Sequence, residues 1–274
     1  MASDLIFGQG PLAIIPTLNL ITQLIHDRRT RDQHGCFFLE GVRHFVAASD
    51  SGVRIEAIVY SERLLIAPLA RKLVRQHKRA GVPTIRISPE QFRSISRTPR
   101  AAGVGAIVRQ QIMQLPCMPV AAPACWVALS QVRSPGNLGT LIRTAVATGA
   151  TGFMVLGNQI DPFDPRVVRA SMGAVFRQQF IRTNLAALQA WAQHSQIHII
   201  GAAPDGEVVY TNASYQAPLV LILGEERAGL TREQRRMCDQ LVRIPMLPGT
   251  DSLNLGVAGS LLLYEIQRGL DRGA

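Results

Sequence analysis

From residue 17 onward the chain switches repeatedly between helical and strand-like spacing of its apolar residues. Leu18, Ile21, Leu24 and Ile25 share one helical face, which predicts a helix over 17–28. A short apolar run at 36–39 predicts a strand, 41–50 a helix, RIEAIVY (54–60) a strand, and 64–79 a helix ending at Gly81. IRI (85–87) reads as a strand. SPEQFRSIS (88–96) opens as a capped helix with proline at its first position, and GVGAIVR (103–109) is a strand. MQLPCMPVAAPA (113–124) carries three prolines and no charge, and reads as a linker. Beyond it come strand CWVALS (125–130), helix 137–149, strand GFMVLG (152–157) and helices near 165–173 and 184–195. Strands IHIIGAA (197–203), PLVLILG (218–224) and LVRIPM (241–246) follow, then a final helix over 252–269. Near-continuous apolar strands separated by helices imply a parallel sheet covered on both faces. The expected organisation is a small α/β module over 1–112, a linker over 113–124, and a parallel-sheet α/β domain over 125–274.

Composition narrows this picture. At 47% hydrophobic and 18% charged residues, the chain can bury a core and is not disordered. Its longest apolar runs, 64–70 and 218–224, are far short of a membrane span. The N-terminal stretch lacks a basic leader and a cleavage site, so the expectation is a cytoplasmic protein without membrane contact. Cys36, Cys117, Cys125 and Cys238 form no CxxC pair, and none lies beside a histidine at ligand spacing. Reduced, mostly buried thiols and no metal site are expected.

Charge points to a partner. The formal net charge is +10, and residues 1–116 hold 16 Lys and Arg against 8 Asp and Glu. Residues 117–274 hold 13 against 11, so the excess sits in the first part and favours a polyanion there. Lys72 and Lys78 are the only lysines. Arginine's planar fork pairs with phosphate and stacks on bases, which suits RNA. A GC-rich genome also raises the Arg:Lys ratio, but it does not explain the uneven distribution.

Ligands on parallel sheets sit at the carboxyl ends of strands, which singles out loops 130–137, 224–230 and 246–254. In SPGNLGTLIRTAVATGA (134–150), Pro135 and Gly136 make a turn and Asn137 is placed to cap the following helix. Arg143 lies in that helix's second turn on a different face. Gly139 costs roughly 1 kcal/mol relative to alanine in a helix, which suggests close approach by another backbone or by RNA. In LILGEERAGL (221–230) a strand ends at Gly224, where backbone groups can face a ligand. Glu225 and Glu226 are adjacent and point apart, so they are not an acid/base pair. In IPMLPGTDSLNLGVAGS (244–260), Asp251 and Ser252 are placed as caps, and Asn254 is left without a structural role.

Together the three segments resemble the SpoU (TrmH-like) branch of the SPOUT RNA methyltransferases. The matching motifs are SPGNLGTLIRTA, LVLILGEERAGL and RIPMLPGTDSLNLGVA, in order and at the family's spacing across 126–268. DRRTRDQHGCFFLEGVR (27–43) and RAAGVGAIVR (100–109) resemble the L30e-like substrate-binding domain often joined to it. The resemblance implies an α/β SPOUT domain with a C-terminal trefoil knot, S-adenosyl-L-methionine as methyl donor, and a homodimer whose active site borrows from both subunits. It implies donor contacts from Gly224, Ile244 and Leu253, with Leu223 and Met246 lining the adenine pocket. It places Asn137, Arg143, Glu226, Ser252 and Asn254 in the catalytic and substrate-positioning set. The sequence departs at Glu225, where the family generally has a small or uncharged residue, and at Gly256, often a serine.

The implied reaction is ribose 2′-O-methylation of structured RNA, with 23S ribosomal RNA favoured over transfer RNA. Arginines remain charged in proteins, so Arg143 is expected to stabilise the developing alkoxide rather than act as a base. Glu226 and Asn254 would fix the pocket, Asn137 would hold the ribose or Arg143, and Ser252 would position the ribose or the loop. Two rivals remain at this point: a catalytically inactive rRNA-binding assembly protein, and a nucleotide-dependent oxidoreductase. No GxGxxG follows the first strand with an acidic residue downstream, which counts against the second.

Overall fold

The computed structural model describes residues 17–115, 124–249 and 252–273, and the chain divides into two units, Met1–Gln110 and Gln111–Ala274. The first unit runs α1 (Leu18–His26), α2 (Arg28–His34), β1 (Cys36–Glu40), α3 (Val42–Asp50), β2 (Ile55–Tyr60), α4 (Pro68–Arg79), β3 (Thr84–Arg86), α5 (Pro89–Ile95) and β4 (Val104–Arg109). Its sheet has the order β1-β4-β2-β3, with β4 antiparallel to both neighbours and β3 parallel to β2. The apolar face of α1 buries Ile21 and Leu24 in a cluster with Phe38, Ala57, Val59 and Ile107. Helix α2 escapes a periodicity reading because RRTRDQH has no apolar stripe. It is held instead by polar groups. Asp27 caps it by accepting from the N–H groups of Arg29 and Thr30 at 3.0 and 2.9 Å. Arg31 is buried and donates to the carbonyl of Leu24 at 2.7 Å, satisfying the last turn of α1. Helix α4 starts at Pro68 rather than at 64, because the residue before a proline avoids helical dihedrals.

The second unit contains β5 (Ile112–Met113), β6 (Cys125–Leu129), α6 (Pro135–Ala147), β7 (Gly152–Leu156), α7 (Pro165–Ala170), β8 (Gln179–Thr183), α8 (Leu185–His194), β9 (His198–Ala202), β10 (Val208–Val209), β11 (Leu219–Leu223), α9 (Arg232–Met237), β12 (Gln240–Arg243) and α10 (Leu255–Gly273). Its eight strands have the order β10-β12-β9-β11-β6-β7-β8-β5, and every pairing is parallel. Strand β5 pairs with β8, and Leu115 is buried in the same cluster as Trp126 and Met154. The first residues of the expected linker therefore belong to this sheet and its core; residues 116–123 lie outside the described set. Strand order changes direction at β6: β7 and β8 step one way, while β11, β9 and β12 lie the other way. The loops after β6, β9, β11 and β12 consequently open side by side at one end of the sheet.

Helix α10 packs closely on α6. A Cβ at Gly259 would lie 2.3 Å from Leu141 Cδ2 and 2.8 Å from Leu223 Cδ1. The hydroxyls of Thr144 and Ser260 hydrogen-bond at 2.8 Å across the same contact. On another side of α6, a Cβ at Gly139 would lie 2.3 Å from the Ala170 Cβ and 2.8 Å from its carbonyl carbon. Close approach by another part of the chain, α7, thus accounts for the glycine in α6. Among the described residues no helix is long and apolar enough to cross a membrane.

Candidate active site

The loops after β9, β11 and β12 surround a cleft of about 300 Å³. Leu223, Gly224, Ile244, Met246 and Leu253 all line it, together with Glu226 and Ser252. Their convergence follows from the parallel sheet, since β11 ends at Leu223 and β12 ends one residue before Ile244. The 224–229 loop folds on itself: the N–H of Glu225 donates to the Gly229 carbonyl at 3.1 Å, and the N–H of Gly229 returns to the Glu225 carbonyl at 2.9 Å. Gly229 has φ +68°, which glycine adopts without strain. A Cβ at Gly224 would lie 2.2 Å from the Gly229 carbonyl carbon, so any side chain there would prise the loop open.

A chain of polar contacts ties the three sequence motifs together beside this cleft. Glu226 accepts from the backbone N–H groups of Arg133 and Ser134 at 2.9 and 3.4 Å, and from Asn137 Nδ2 at 2.9 Å. It thereby supplies a carboxylate to donors at the start of α6, where unpaired N–H groups and the helix dipole both favour negative charge. Asn137 Oδ1 then accepts from Asn254 Nδ2 at 2.9 Å. Asn254 Oδ1 in turn accepts from the N–H groups of Gly256 and Val257 at 2.9 and 3.3 Å.

Two expectations change here. Helix α6 begins at Pro135, so Asn137 lies inside its first turn and does not cap it. Asn254, rather than Asp251 or Ser252, caps α10, whose first residue is Leu255. Asp251 lies outside the described residues. Ser252 is exposed at the cleft and makes no hydrogen bond with a described residue. A serine followed by the helix's apolar residues is a strong cap signal, but asparagine ranks equally high, and register decides between them.

Arg143 is not drawn into this network. It is exposed on α6, outside the cleft lining, with no hydrogen bond or ion pair to a described residue. The cleft's carboxylates, by contrast, are engaged. Asp205 takes a bidentate pair from Arg235 at 2.9 and 2.8 Å, and those hydrogen bonds hold its carboxyl below the usual carboxylate range. Glu225, half-buried in the cleft wall, forms an ion pair with the guanidinium of Arg133. Neither Arg133 nor Asp205 was a candidate from sequence; the 92 and 30 residues separating them from their partners carry no local signal.

A parallel-sheet α/β unit with a cleft at its strand ends and three loop motifs joined beside it defines a class of α/β domain shaped to hold a small molecule there. Residues 124–264 match the SpoU rRNA methylase family, and residues 19–106 match the MRM3-like substrate binding domain. The chain is 30% identical over 252 residues to the 23S rRNA (uridine(2479)-2′-O)-methyltransferase of Streptomyces viridochromogenes, covering 89% of this chain and 87% of that one. It superposes on the crystal structure of an AdoMet-bound rRNA methyltransferase from Sinorhizobium meliloti with a TM-score of 0.84 and 32% identity, covering 92% and 94% of the two chains. The AdoMet complex of the SpoU methyltransferase AviRb from Streptomyces viridochromogenes gives 0.84 and 28%, covering 94% and 98%. The chain belongs to the SpoU rRNA methylase family.

Proposed function

We propose that this protein transfers the methyl group of S-adenosylmethionine to a ribose 2′-hydroxyl of 23S ribosomal RNA. The carrying observation is the continuous chain Glu226–Asn137–Asn254, which fixes the three motifs beside one cleft. The cleft fits the donor chemically. Leu223, Ile244, Met246 and Leu253 offer an apolar slot for a purine, and the adjoining 224–229 backbone offers polar groups at its edge. When bound, the donor supplies an activated methyl and its own leaving group, so the protein's task is positioning and help with the hydroxyl proton.

In this reading Glu226 and Asn254 hold Asn137 in a single orientation, and Ser252 stands at the cleft wall ready to meet the ribose. Arg143 stabilises the oxygen as it loses its proton, acting as a charged donor. Its position outside the chain's own cleft favours delivery to the site of a second copy. Val257, Leu261 and Tyr264 support such a homodimer: they are exposed at 49%, 40% and 56% along one side of α10, the helix that packs on α6. The knotted threading of the C-terminal segment belongs to the same proposal, as does a cytoplasmic location. The basic first unit grips RNA phosphates; α4 alone exposes Arg71, Lys72, Arg75, Lys78 and Arg79.

The test is incubation of unmodified 23S rRNA with the protein and methyl-labelled donor, followed by mapping of 2′-O-methyl positions. One dominant ribose methylation site is expected. Donor binding without transfer to ribosomal RNA, together with transfer to tRNA, would move the substrate assignment to the tRNA alternative. Absence of donor binding would leave an inactive rRNA-binding protein.

A further inference from the structure

Two consecutive carboxylates hold one arginine by opposite ends. Glu226 accepts from the backbone N–H of Arg133 at 2.9 Å, while Glu225 pairs with its guanidinium. The Glu225 side chain is only 17% exposed, whereas that of Arg133 is 53% exposed. The carboxylate is thus sunk in the cleft wall, and a large part of the cation faces solvent at the cleft's edge. A partly exposed ion pair of this kind contributes little to stability, so its consequence is geometric. The hydrogen bond to Glu226 fixes the Arg133 main chain, and the charge of Glu225, whose Oε1 makes no hydrogen bond, biases where the guanidinium rests. A guanidinium also presents five donors in a planar fork, and one carboxylate cannot occupy them all.

We infer that Arg133 is a phosphate-binding residue for the RNA strand at the reacting ribose, and that Glu225 is a positioning residue that aims it. The inference rests on the methyl-transfer reading above and names the group that holds the substrate backbone there. The ligand is a phosphodiester of the RNA. Arg133 lies three residues before Gly136 and four before Asn137, in the loop that Glu226 fixes, so a phosphate on its exposed face lies next to the same rim as the ribose-positioning set. This gives Glu225 a role that its departure from the family pattern left open.

The test uses full-length protein, 23S rRNA and S-adenosylmethionine, comparing Arg133→Ala, Glu225→Gln and the double variant. Arg133→Ala should raise the KM for RNA about tenfold with a small change in kcat. Its log affinity against log salt should be shallower by about 0.7 to 0.9, the loss of one phosphate contact. Calorimetric affinity for the donor should stay at the wild-type value. Glu225→Gln should raise the RNA KM less, and the double variant should be no worse than Arg133→Ala alone, because Glu225 acts through Arg133. An unchanged salt slope and RNA KM in Arg133→Ala would overturn the inference. Additive effects in the double variant, or loss of donor affinity in Arg133→Ala, would overturn it too, by making the pair part of the cleft's framework. Failure of wild-type protein to bind the donor or methylate RNA is a different outcome, and would count against the methyl-transfer reading itself.

Discussion

Each unit of this protein uses a glutamate just beyond or at a strand end to gather donors from a distant loop, and the two networks end differently. In the first unit Glu40, the last residue of β1, accepts from the Ser96 hydroxyl, from the N–H of Arg97 at 2.8 Å and from the Thr98 hydroxyl at 3.1 Å. In the second, Glu226 accepts from two backbone N–H groups and from the Asn137 amide. Ser96 and Thr98 turn back on each other and on nearby carbonyls, so the Glu40 network closes locally. The Glu226 network starts at a residue that lines a cleft and passes through Asn137 to Asn254. A buried-side carboxylate is therefore no sign of chemistry by itself. What it leaves beside it decides, and only Glu226 leaves a cleft lined by apolar side chains and open backbone.

Substitutions can break this comparison in order of expected size. Arg143→Ala should have the largest effect: a turnover loss on the order of 100- to 1,000-fold or more, typical of losing a charge-stabilising donor, with donor affinity retained in calorimetry. Near wild-type turnover would remove Arg143 from the reaction. Glu226→Ala comes next. It strands the N–H groups of Arg133 and Ser134 and frees Asn137, so kcat should fall about 100-fold while thermal unfolding shows a loss of about 1–3 kcal/mol. Its counterpart Glu40→Ala should cost a similar amount of stability in the first unit and leave kcat near wild-type. Equal losses of kcat in the two variants would erase the distinction drawn here. Charge reversal of Arg75 and Lys78 together should weaken RNA binding most at low salt and spare donor binding, which filter binding across a salt series will read. The smallest effect belongs to Asn254→Ala, which removes a helix cap at a cost of about 1 kcal/mol; its turnover should fall more than that destabilisation implies, because Asn137 loses its partner.

Much of the fold was legible because its strands are apolar runs. CWVAL, GFMVL and LVLIL are strands throughout and buried at every position. What stayed hidden had no apolar pattern to show. Helix α2 is seven residues held by Asp27 and Arg31, and β5 is two residues whose pairing depends on β8, itself a short strand of mixed polarity. Helix α9 carries a Thr231–Gln234 capping box that a search for cap signatures would have found. In the site, Leu223, Gly224 and Ile244 stood out in the sequence because they sit at strand ends, and the structure brings them to one cleft with Met246 and Leu253. The role of Asn254 was not, because a local reading cannot reveal that its amide reaches Asn137, 117 residues earlier, while its carbonyl oxygen caps α10. Glu225 was opaque for the same reason: its partner Arg133 lies 92 residues earlier in the chain, in the loop after the neighbouring strand β6.

The most direct measurement is a crystal structure of the full chain with S-adenosylhomocysteine. The account predicts the adenine between Leu223, Ile244, Met246 and Leu253, with the Glu226–Asn137–Asn254 hydrogen bonds intact beside it. Ligand bound elsewhere on the protein, or a refined complex in which those hydrogen bonds are broken and the three loops separate, would contradict it.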